Sequence, residues 1–305
     1  MRHVFFTVVV LLLAHQTGRA AQTVTLPDWI CKHPDTLFAG GFESGELALP
    51  SLPSHGSGGA YPGYVSRTIT VPGMGTQPYY VYVPASYTPA HPMPLLLALH
   101  GAGGPGTADQ YAQTVRLDWG ALAYGFGLIV VAPVGTDDQG GGWVAPASAS
   151  DAPSDYDIIA QVFDDVASAY NIETTRRYGW GYSAGGHVMH SLALNGYNAT
   201  VNANTIAAYS VSAGVLAGWA CRNLTATACE QQVLAPALRK VPVDIHIGNT
   251  DPLLSYATSD KSGFAAEGWT LGSTLYFTQF NGGHTYSSAN LQQAWLNMCP
   301  NAVVP

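Results

Sequence analysis

Apolar and polar residues follow one another along the chain in a pattern that predicts strands and helices in turn from residue 65 onward. Short runs rich in β-branched, aliphatic or aromatic residues are typical of strands, and they cover 67–71, 79–83, 94–101, 127–133, 178–180, 207–212, 241–248 and 274–280. Helix-compatible runs lie between them, at 108–124, 156–170, 187–194 and 288–298. This alternation predicts an α/β fold with a mostly parallel central sheet and helices on both faces.

The predicted strands differ in their connections and in their apolar content, which indicates where each lies in the sheet. The first two, 67–71 and 79–83, are separated by a Pro/Gly turn, which favours an antiparallel pair at the edge of the sheet. The runs 94–101 and 127–133 are almost continuously apolar, as expected of parallel strands buried on both faces. These two strands should therefore lie near the centre of the sheet.

The first twenty residues have the features of a secretory signal. Arg2 and His3 precede an apolar run from Val4 to Ala14, and small residues follow up to a predicted cleavage after Ala20. About eleven apolar residues are too few to cross a hydrocarbon core of roughly 30 Å. We therefore expect residues 1–20 to be removed, leaving a secreted protein with no membrane association.

The remaining chain divides by composition into an extension and one catalytic domain. Residues 21–64 are rich in Pro, Gly and Ser and lack periodicity, and 56–60 is predicted to be a linker. Residues 65–305 carry the alternating pattern and are long enough for one α/β domain with a large core. We expect the protein to be a monomer.

Charge and composition exclude several classes of protein. The formal net charge is −8, and it becomes −10 once the two arginines of the signal are removed with no acidic residue. An acidic chain is poorly suited to bind nucleic acid, whose affinity depends on Lys and Arg contacts to phosphate. A hydrophobic content of 47% argues against disorder. The His and Cys spacing suggests no metal site, and we predict no cofactor.

The four cysteines of an exported chain are expected to form disulfides. They are Cys31, Cys221, Cys229 and Cys299, which allow three pairings. We favour Cys221 with Cys229, which are close in sequence, and Cys31 with Cys299, which would tie the two ends together.

The stretch Gly181-Tyr182-Ser183-Ala184-Gly185 has the pattern Gly-x-Ser-x-Gly. It lies between a predicted strand and a predicted helix, which is the setting of a nucleophile elbow. The turn leaves no room for a Cβ two residues before or after the serine, hence the two glycines. Ser183 is therefore the candidate nucleophile.

A serine hydroxyl needs a base and an acid that holds the base. Functional groups collect at the carboxyl ends of strands in open α/β sheets. Asp251 follows the strand 241–248, and His284 follows the strand 274–280 on a glycine-containing loop. The order Ser, Asp, His matches that of serine hydrolases with an elbow, so we predict Ser183, Asp251 and His284 as a catalytic triad.

Other acids and histidines are in positions less suited to a catalytic acid or base. Asp244 and His246 lie within a predicted strand, and Asp260 lies beyond a predicted loop. His187 and His190 fall on the helix after the elbow, where packing is the expected role. His100 is expected to bond to the backbone of the loop that it begins.

The tetrahedral intermediate needs two backbone donors. We predict the N–H groups of Ala184, directly after the nucleophile, and of Ala102, in the loop after the strand 94–101. Trp143, alone in a Gly-rich loop, is either a packing residue or a platform for substrate. Trp143 and Tyr182 are the candidate substrate-binding residues.

Several of these motifs occur together, in an order that resembles the secreted polyhydroxybutyrate depolymerase and feruloyl esterase group of α/β-hydrolases. They are 99–104, the Trp143 loop, 171–178, 181–189, 248–251 and 282–284. The resemblance covers residue 65 to the C-terminus. It implies the α/β-hydrolase fold, the triad named above and ester hydrolysis through an acyl-enzyme. His187 departs from the small or apolar residue expected there, and no polymer-binding module follows.

The function that we predict is that of a secreted serine esterase acting on a polyester or on an ester linked to polysaccharide. A 3-hydroxybutyrate polyester or oligomer is the first choice, and a feruloyl or acetyl ester on plant polysaccharide is the alternative. A serine peptidase of the same fold would use the same triad. A secreted binding protein that kept the fold without activity would leave Ser183 unreactive toward a fluorophosphonate.

Overall fold

An eight-stranded sheet forms the centre of the molecule. The structure is a computed structural model that describes residues 21–26, 31, 51–57, 59, 62–146 and 153–304; the predicted signal lies outside these residues. The strands are β2 (Gly63–Val71), β3 (Gly75–Val83), β4 (Met93–Leu99), β5 (Ile129–Pro133), β6 (Ile172–Tyr182), β7 (Ala208–Ser212), β8 (Val243–Gly248) and β9 (Leu275–Phe280). Their order is β2-β3-β5-β4-β6-β7-β8-β9.

The sheet is parallel from β5 to β9, and its first two strands are antiparallel to their neighbours. The β2–β3 pair at the edge confirms the antiparallel hairpin expected from the sequence. Every residue of β4 and β5 is buried, which confirms that these apolar runs are central strands.

Helices cover both faces of the sheet. They are α1 (Ala108–Phe126), α2 (Asp155–Ala169), α3 (Ala184–Asn195), the short α4 (Ala226–Cys229), α5 (Leu254–Ala266) and α6 (Ser288–Met298). Helices α1 and α6 pack into one apolar core with Trp119, Trp180 and Trp295. Helices α2, α3 and α5 pack into the other, with Ile159 and Leu192 among its buried residues. The predicted α/β layering is therefore confirmed.

Helix α5 was not predicted from the sequence. Its buried positions are Ala257, Asp260, Gly263 and Phe264, so a carboxylate and a glycine stand where an amphipathic helix normally has apolar residues. Asp260 is consequently on a helix and not beyond a loop. The short strands β1 (Gln22–Thr25) and β10 (Asn301–Val304), which pair antiparallel, were also missed.

Two residues of the N-terminal extension, Leu52 and Ser54, are bonded to the domain. Ser54 Oγ donates to the carbonyl of Ala167 at 2.8 Å and accepts the N–H of Ile172 at 2.9 Å. The N–H of Leu52 donates to the carboxylate of Glu173 at 2.8 Å. The end of α2 and the start of β6 therefore hold these two residues, which precede the predicted linker 56–60.

Two disulfides tie peripheral segments to the core. Cys31 is joined to Cys299, next to the β1–β10 pair, and Cys221 is joined to Cys229 in the segment between β7 and β8. These are the pairings favoured from the sequence, and the described chain has no free cysteine.

The two disulfides are expected to contribute unequally to stability. Cys31→Ser with Cys299→Ser should lower the free energy of unfolding by about 4–5 kcal/mol, and Cys221→Ser with Cys229→Ser by about 2–3 kcal/mol. The reason is that a cross-link restricts the unfolded chain more when it closes a longer loop, and the sequence separations are 268 and 8. Urea unfolding of the two double variants measures both losses, and equal losses would contradict this account.

Candidate active site

Ser183 occupies the tight turn between β6 and α3. Its φ is 51° and its ψ is −117°, a backbone conformation that is uncommon for a residue with a Cβ. Its N–H donates to the carbonyl of Ser212 at 2.9 Å, and its own carbonyl accepts the N–H of His187 at 3.0 Å. Strand β7 and helix α3 therefore hold the turn from both sides, and the sequence expectation of a strand, a turn and a helix is met.

The glycines at either side of Ser183 are required by close backbone approach. A Cβ on Gly181 would lie under 3.0 Å from the carbonyl of Gly185, and a Cβ on Gly185 would lie under 3.0 Å from the carbonyl oxygens of Leu99 and His100. Backbone atoms cannot move aside as a flexible side chain can. The elbow is thus packed directly on the end of β4.

Gly185→Ala is expected to lower the free energy of unfolding by about 1–3 kcal/mol or more, because the new methyl group overlaps the end of β4. It should also displace Ser183, and a displacement of about 1 Å can cost on the order of 10²-fold in rate. Chemical denaturation and esterase kinetics measure both effects. Gly125→Ala is the matched control, since a Cβ there meets nothing within 4 Å and should stabilise α1 by about 0.5–1 kcal/mol. Equal stability of the two variants would contradict the steric argument.

Ser183, His284 and Asp251 form one continuous line of hydrogen-bonding atoms. His284 Nε2 lies 2.8 Å from Ser183 Oγ, and His284 Nδ1 lies 3.0 Å from Asp251 Oδ2. The Asp251 side chain is fully buried, whereas 34% of the His284 side chain is exposed. The imidazole can therefore meet a substrate from solvent while its carboxylate partner is shielded.

The hydrogen bonds of the line define the proton positions. A carboxylate beside Nδ1 accepts a hydrogen bond from Nδ1–H, which keeps the proton on Nδ1 and leaves Nε2 free to accept a hydrogen bond from the Ser183 hydroxyl. Asp251 is itself fixed, because its Oδ1 accepts the N–H of Leu253 at 2.8 Å. This is the protonation state that a serine nucleophile needs.

The loops that carry Asp251 and His284 are bonded to each other. The N–H of Asn249 donates to the carbonyl of Phe280 at 2.8 Å, and the N–H of Thr250 donates to that of Gly282 at 2.9 Å. Both loops follow parallel neighbours, β8 and β9. The sheet thus brings acid and histidine together although they are 33 residues apart.

Tyr182 holds the histidine loop in place. Its hydroxyl donates to the backbone carbonyl of His284 at 2.7 Å, and its ring packs edge-on against Tyr286 at 4.9 Å. Tyr286 in turn donates to Asp118 at 2.6 Å. The side chain that the sequence marked for substrate binding therefore has its hydroxyl engaged in positioning His284.

The two predicted oxyanion residues lie near each other. A Cβ added to Gly142 would lie 3.1 Å from the Cβ of Ala102 and 3.6 Å from the Cβ of Ala184, so both alanines border Gly142. Ala184 is the first residue of α3, so its N–H has no acceptor within the helix. Their use as oxyanion donors stays a prediction.

His100 and Trp143 connect the loops around these alanines. His100 Nδ1 lies 2.9 Å from the Gly101 carbonyl, and its Nε2 accepts the N–H of Gly135 at 3.0 Å. Trp143 Nε1 donates to the His100 carbonyl at 2.7 Å, and the Trp143 residue is only 4% exposed. Burial lowers the pKa of His100 to about 4. His100 has the backbone-bonding role expected of it, and the burial of Trp143 favours packing over a substrate platform.

The other acids and histidines named from the sequence do not reach Ser183 Oγ. Asp244 and His246 are buried on β8 and bond to each other at 2.6 Å. His190 is buried against Tyr209, and His187 Nδ1 lies 3.0 Å from the backbone of Val215. Burial lowers the pKa of His187 to about 4 and that of His190 to about 3. Both are therefore neutral near neutral pH.

Tyr111 of α1 was not singled out from the sequence. Its ring occupies the space where a Cβ on Gly103 would stand, and 36% of the residue is exposed. It lies beside the loop that contains Ala102. A lone tyrosine within a helical run gives no signal of this position, because the fold alone brings α1 against that loop.

No group of His, Cys, Asp and Glu among the described residues could hold a metal ion. None of the helices that the structure describes is both long enough and apolar enough to cross a membrane.

Comparison with known proteins identifies the fold. No family model matches the chain. The bifunctional acetylxylan esterase/xylanase XynS20E of Neocallimastix patriciarum is 31% identical over 139 residues, which make up 44% of this chain and 17% of that protein. The match therefore spans less than a fifth of the relative.

Two solved structures have a similar backbone. A feruloyl esterase module from Clostridium thermocellum, complexed with sinapinate, has a TM-score of 0.55 and 18% identity, covering 85% of this chain and 95% of that one. A putative dipeptidyl aminopeptidase IV from Bacteroides ovatus has a TM-score of 0.54 and 14% identity, covering 77% and 35%. The chain has the α/β-hydrolase fold, and that fold is shared by proteins with different names.

Proposed function

We propose that this protein is a secreted serine carboxylic-ester hydrolase that acts through an acyl-enzyme. The observation that carries the proposal is the line from Ser183 Oγ through His284 to the buried Asp251, with distances of 2.8 and 3.0 Å. Many ion pairs in protein cores have only a structural role. The Asp251–His284 pair differs from them, because its imidazole is partly exposed and contacts a serine on a strained turn.

The reaction follows from the proton positions. Ser183 Oγ attacks the ester carbonyl carbon while its proton passes to His284 Nε2. The tetrahedral intermediate collapses when the C–O bond to the alcohol breaks, and His284 returns the proton to the leaving oxygen. Water then attacks the acyl-enzyme by the same route, which releases the acid and restores Ser183. The Ala184 and Ala102 amides are proposed to bind the oxyanion in both steps.

The proposed substrate is an acyl ester carried by plant polysaccharide, either acetyl or hydroxycinnamoyl. Support comes from the partial relative that is named an acetylxylan esterase and from the fold shared with a feruloyl esterase module. These relatives favour the polysaccharide ester over the 3-hydroxybutyrate polyester to which the sequence motifs first pointed. That polyester stays in the test as the competing substrate.

A hydrolysis panel tests the proposal. It compares methyl ferulate, acetylated xylan, 3-hydroxybutyrate oligomers, p-nitrophenyl acetate and a dipeptide p-nitroanilide, each with the wild-type protein and with Ser183→Ala. Hydrolysis of ferulate or acetylated xylan that is lost in the variant supports the proposal. Turnover of the 3-hydroxybutyrate oligomers alone would identify the polyester as the substrate. Turnover of the anilide alone would indicate a peptidase. If Ser183 does not react with a fluorophosphonate and no substrate is hydrolysed, the proposal that the protein is an enzyme is rejected.

A further inference from the structure

The segment between β9 and α6 carries His284 and is held on both sides of it. Before the histidine, the carbonyl of Gly282 accepts the N–H of Thr250 at 2.9 Å. After the histidine, the hydroxyl of Tyr286 donates to Asp118 Oδ2 at 2.6 Å. The first contact comes from a neighbouring loop of the sheet, whereas the second comes from helix α1, which packs on the face of the sheet.

The Tyr286 side chain is fixed by two aromatic rings and one carboxylate. Its ring packs edge-on against Trp180 at 5.0 Å and against Tyr182 at 4.9 Å. Burial raises the pKa of the Tyr286 hydroxyl, and the hydrogen bond to Asp118 raises it further. The hydroxyl therefore keeps its proton and remains a donor. A hydrogen bond from it to a carboxylate is roughly twice as strong as one between neutral groups.

The contacts between Tyr182 and His284 depend on Tyr286. The Tyr182 hydroxyl donates to the His284 carbonyl, and the rings of the two residues lie 5.5 Å apart. The Tyr182 ring in turn packs against Tyr286. Asp251 holds the imidazole at one atom, Nδ1, at 3.0 Å, and a single contact of this kind leaves the ring free to pivot. Tyr286 therefore supports both the backbone and the ring neighbour of His284.

Helix α1, which carries Asp118, also contacts the loop that contains Ala102. The ring of Tyr111 packs against Gly103, the next residue of that loop. Tyr111 and Asp118 are seven residues apart, so they lie on the same side of the helix, two turns and about 10 Å apart along its axis. One helix therefore contacts both the loop of a predicted oxyanion donor and the segment of the proposed base.

We propose that Asp118 and Tyr286 are positioning residues, which hold His284 Nε2 at hydrogen-bonding distance from Ser183 Oγ. The inference rests on the proposed esterase function and adds two residues that act through His284 and do not touch the substrate. Without the Asp118–Tyr286 bond the segment between β9 and α6 is free to shift. A shift of about 1 Å can cost on the order of 10²-fold in rate, and the contacts that remain at Asp251 and Tyr182 should reduce this loss.

The kinetic test removes each partner of this hydrogen bond in turn. Tyr286→Phe and Asp118→Ala should each lower kcat for p-nitrophenyl acetate about tenfold and leave KM within about twofold of the wild-type value, because the bond places the base and not the substrate. The double variant should be no slower than the slower single variant, since both changes remove the same bond. Asp118→Asn keeps an oxygen acceptor for the Tyr286 hydroxyl, so it should recover most of the wild-type kcat.

A second tyrosine–carboxylate bond supplies the matched control. Tyr79 of β3 donates its hydroxyl to Asp165 of α2, on the face of the sheet opposite to α1. Tyr79→Phe therefore removes the same kind of bond far from the His284 segment and should keep the wild-type kcat. Asp164→Asn, on the exposed side of α2, controls for the loss of one negative charge and should also keep it.

A spectroscopic measurement separates this proposal from the esterase function. Imidazole ¹⁵N chemical shifts at alkaline pH report which nitrogen of His284 carries the proton, whether or not any ester is hydrolysed. The wild type should show the Nδ1–H form, and Tyr286→Phe should show a mixture with the Nε2–H form that is absent from Tyr79→Phe. Wild-type kcat in both Tyr286→Phe and Asp118→Ala, or an equal loss of kcat in Tyr79→Phe, would overturn the positioning role. If the wild type hydrolyses no ester, the expected change in the ¹⁵N spectrum would count against the proposed function alone, and an unchanged spectrum would overturn both.

Discussion

Ser183→Ala is expected to reduce kcat for p-nitrophenyl acetate by on the order of 10⁴–10⁶-fold. The change removes the atom that attacks the ester, while the Ala184 and Ala102 amides can still bind an oxyanion. Residual hydrolysis above the uncatalysed rate is therefore expected, on the order of 10³-fold. Stability should change little, because alanine must adopt the same φ of 51° as the serine it replaces.

Steady-state kinetics and a fluorophosphonate probe check this result together. The variant should show no covalent labelling, whereas the wild type should show one label per chain. Ser262→Ala is the control, since its hydroxyl bonds only within α5, to the carbonyl of Thr258 at 3.1 Å. More than about a hundredth of wild-type activity in the Ser183 variant would mean that another group can act as nucleophile, which the geometry does not allow.

The proposal that His284 is the base is supported by how three other imidazoles are placed. Burial lowers the pKa values of His100 and His187 to about 4 and that of His190 to about 3. The Nδ1 atom of each ring bonds to a backbone carbonyl or to the Tyr209 hydroxyl, so these histidines serve packing and loop geometry. His284 differs because it is partly exposed and rests on a buried carboxylate. This difference supports His284 as the proposed base.

The layered fold could be predicted because its signals are local and repeated. Continuous apolar runs marked β4 and β5, and helical periodicity marked α2. Helix α5 was missed because Asp260 and Gly263 interrupt its buried face, and the partner of Asp260, the N–H of Leu216, is 44 residues away in sequence. The docking of residues 51–57 also depends on partners more than 110 residues away, which no local pattern can reveal.

The placement of the candidate triad could be predicted because each member ends or follows a strand. Chain order and the rule on carboxyl ends of strands were enough to select Asp251 and His284 over Asp244 and His246. The contacts that support the triad could not be predicted from the sequence. Two examples are the hydrogen bond from Tyr182 to the His284 carbonyl and the packing of Tyr111 against Gly103. Both depend on how loops meet across the sheet. Side-chain positioning therefore needs the assembled fold.

Asp251→Asn is expected to reduce kcat by on the order of 10³–10⁴-fold, with a much smaller change in KM. In the wild type, Asp251 accepts both the His284 Nδ1–H and the N–H of Leu253. An asparagine that keeps its oxygen on Leu253 must point its NH₂ group at His284 Nδ1. The imidazole then carries its proton on Nε2, where it can no longer accept the Ser183 hydroxyl.

The comparison that distinguishes this mechanism from general destabilisation is the double variant. Ser183→Ala combined with Asp251→Asn should be no slower than Ser183→Ala alone, because residues that act as a unit are not additive. Asp164→Asn should retain wild-type kcat, and circular dichroism should show that both asparagine variants are folded. Retention of more than about a tenth of kcat in Asp251→Asn would assign the orientation of His284 to Tyr182 and the bonded loops rather than to the carboxylate.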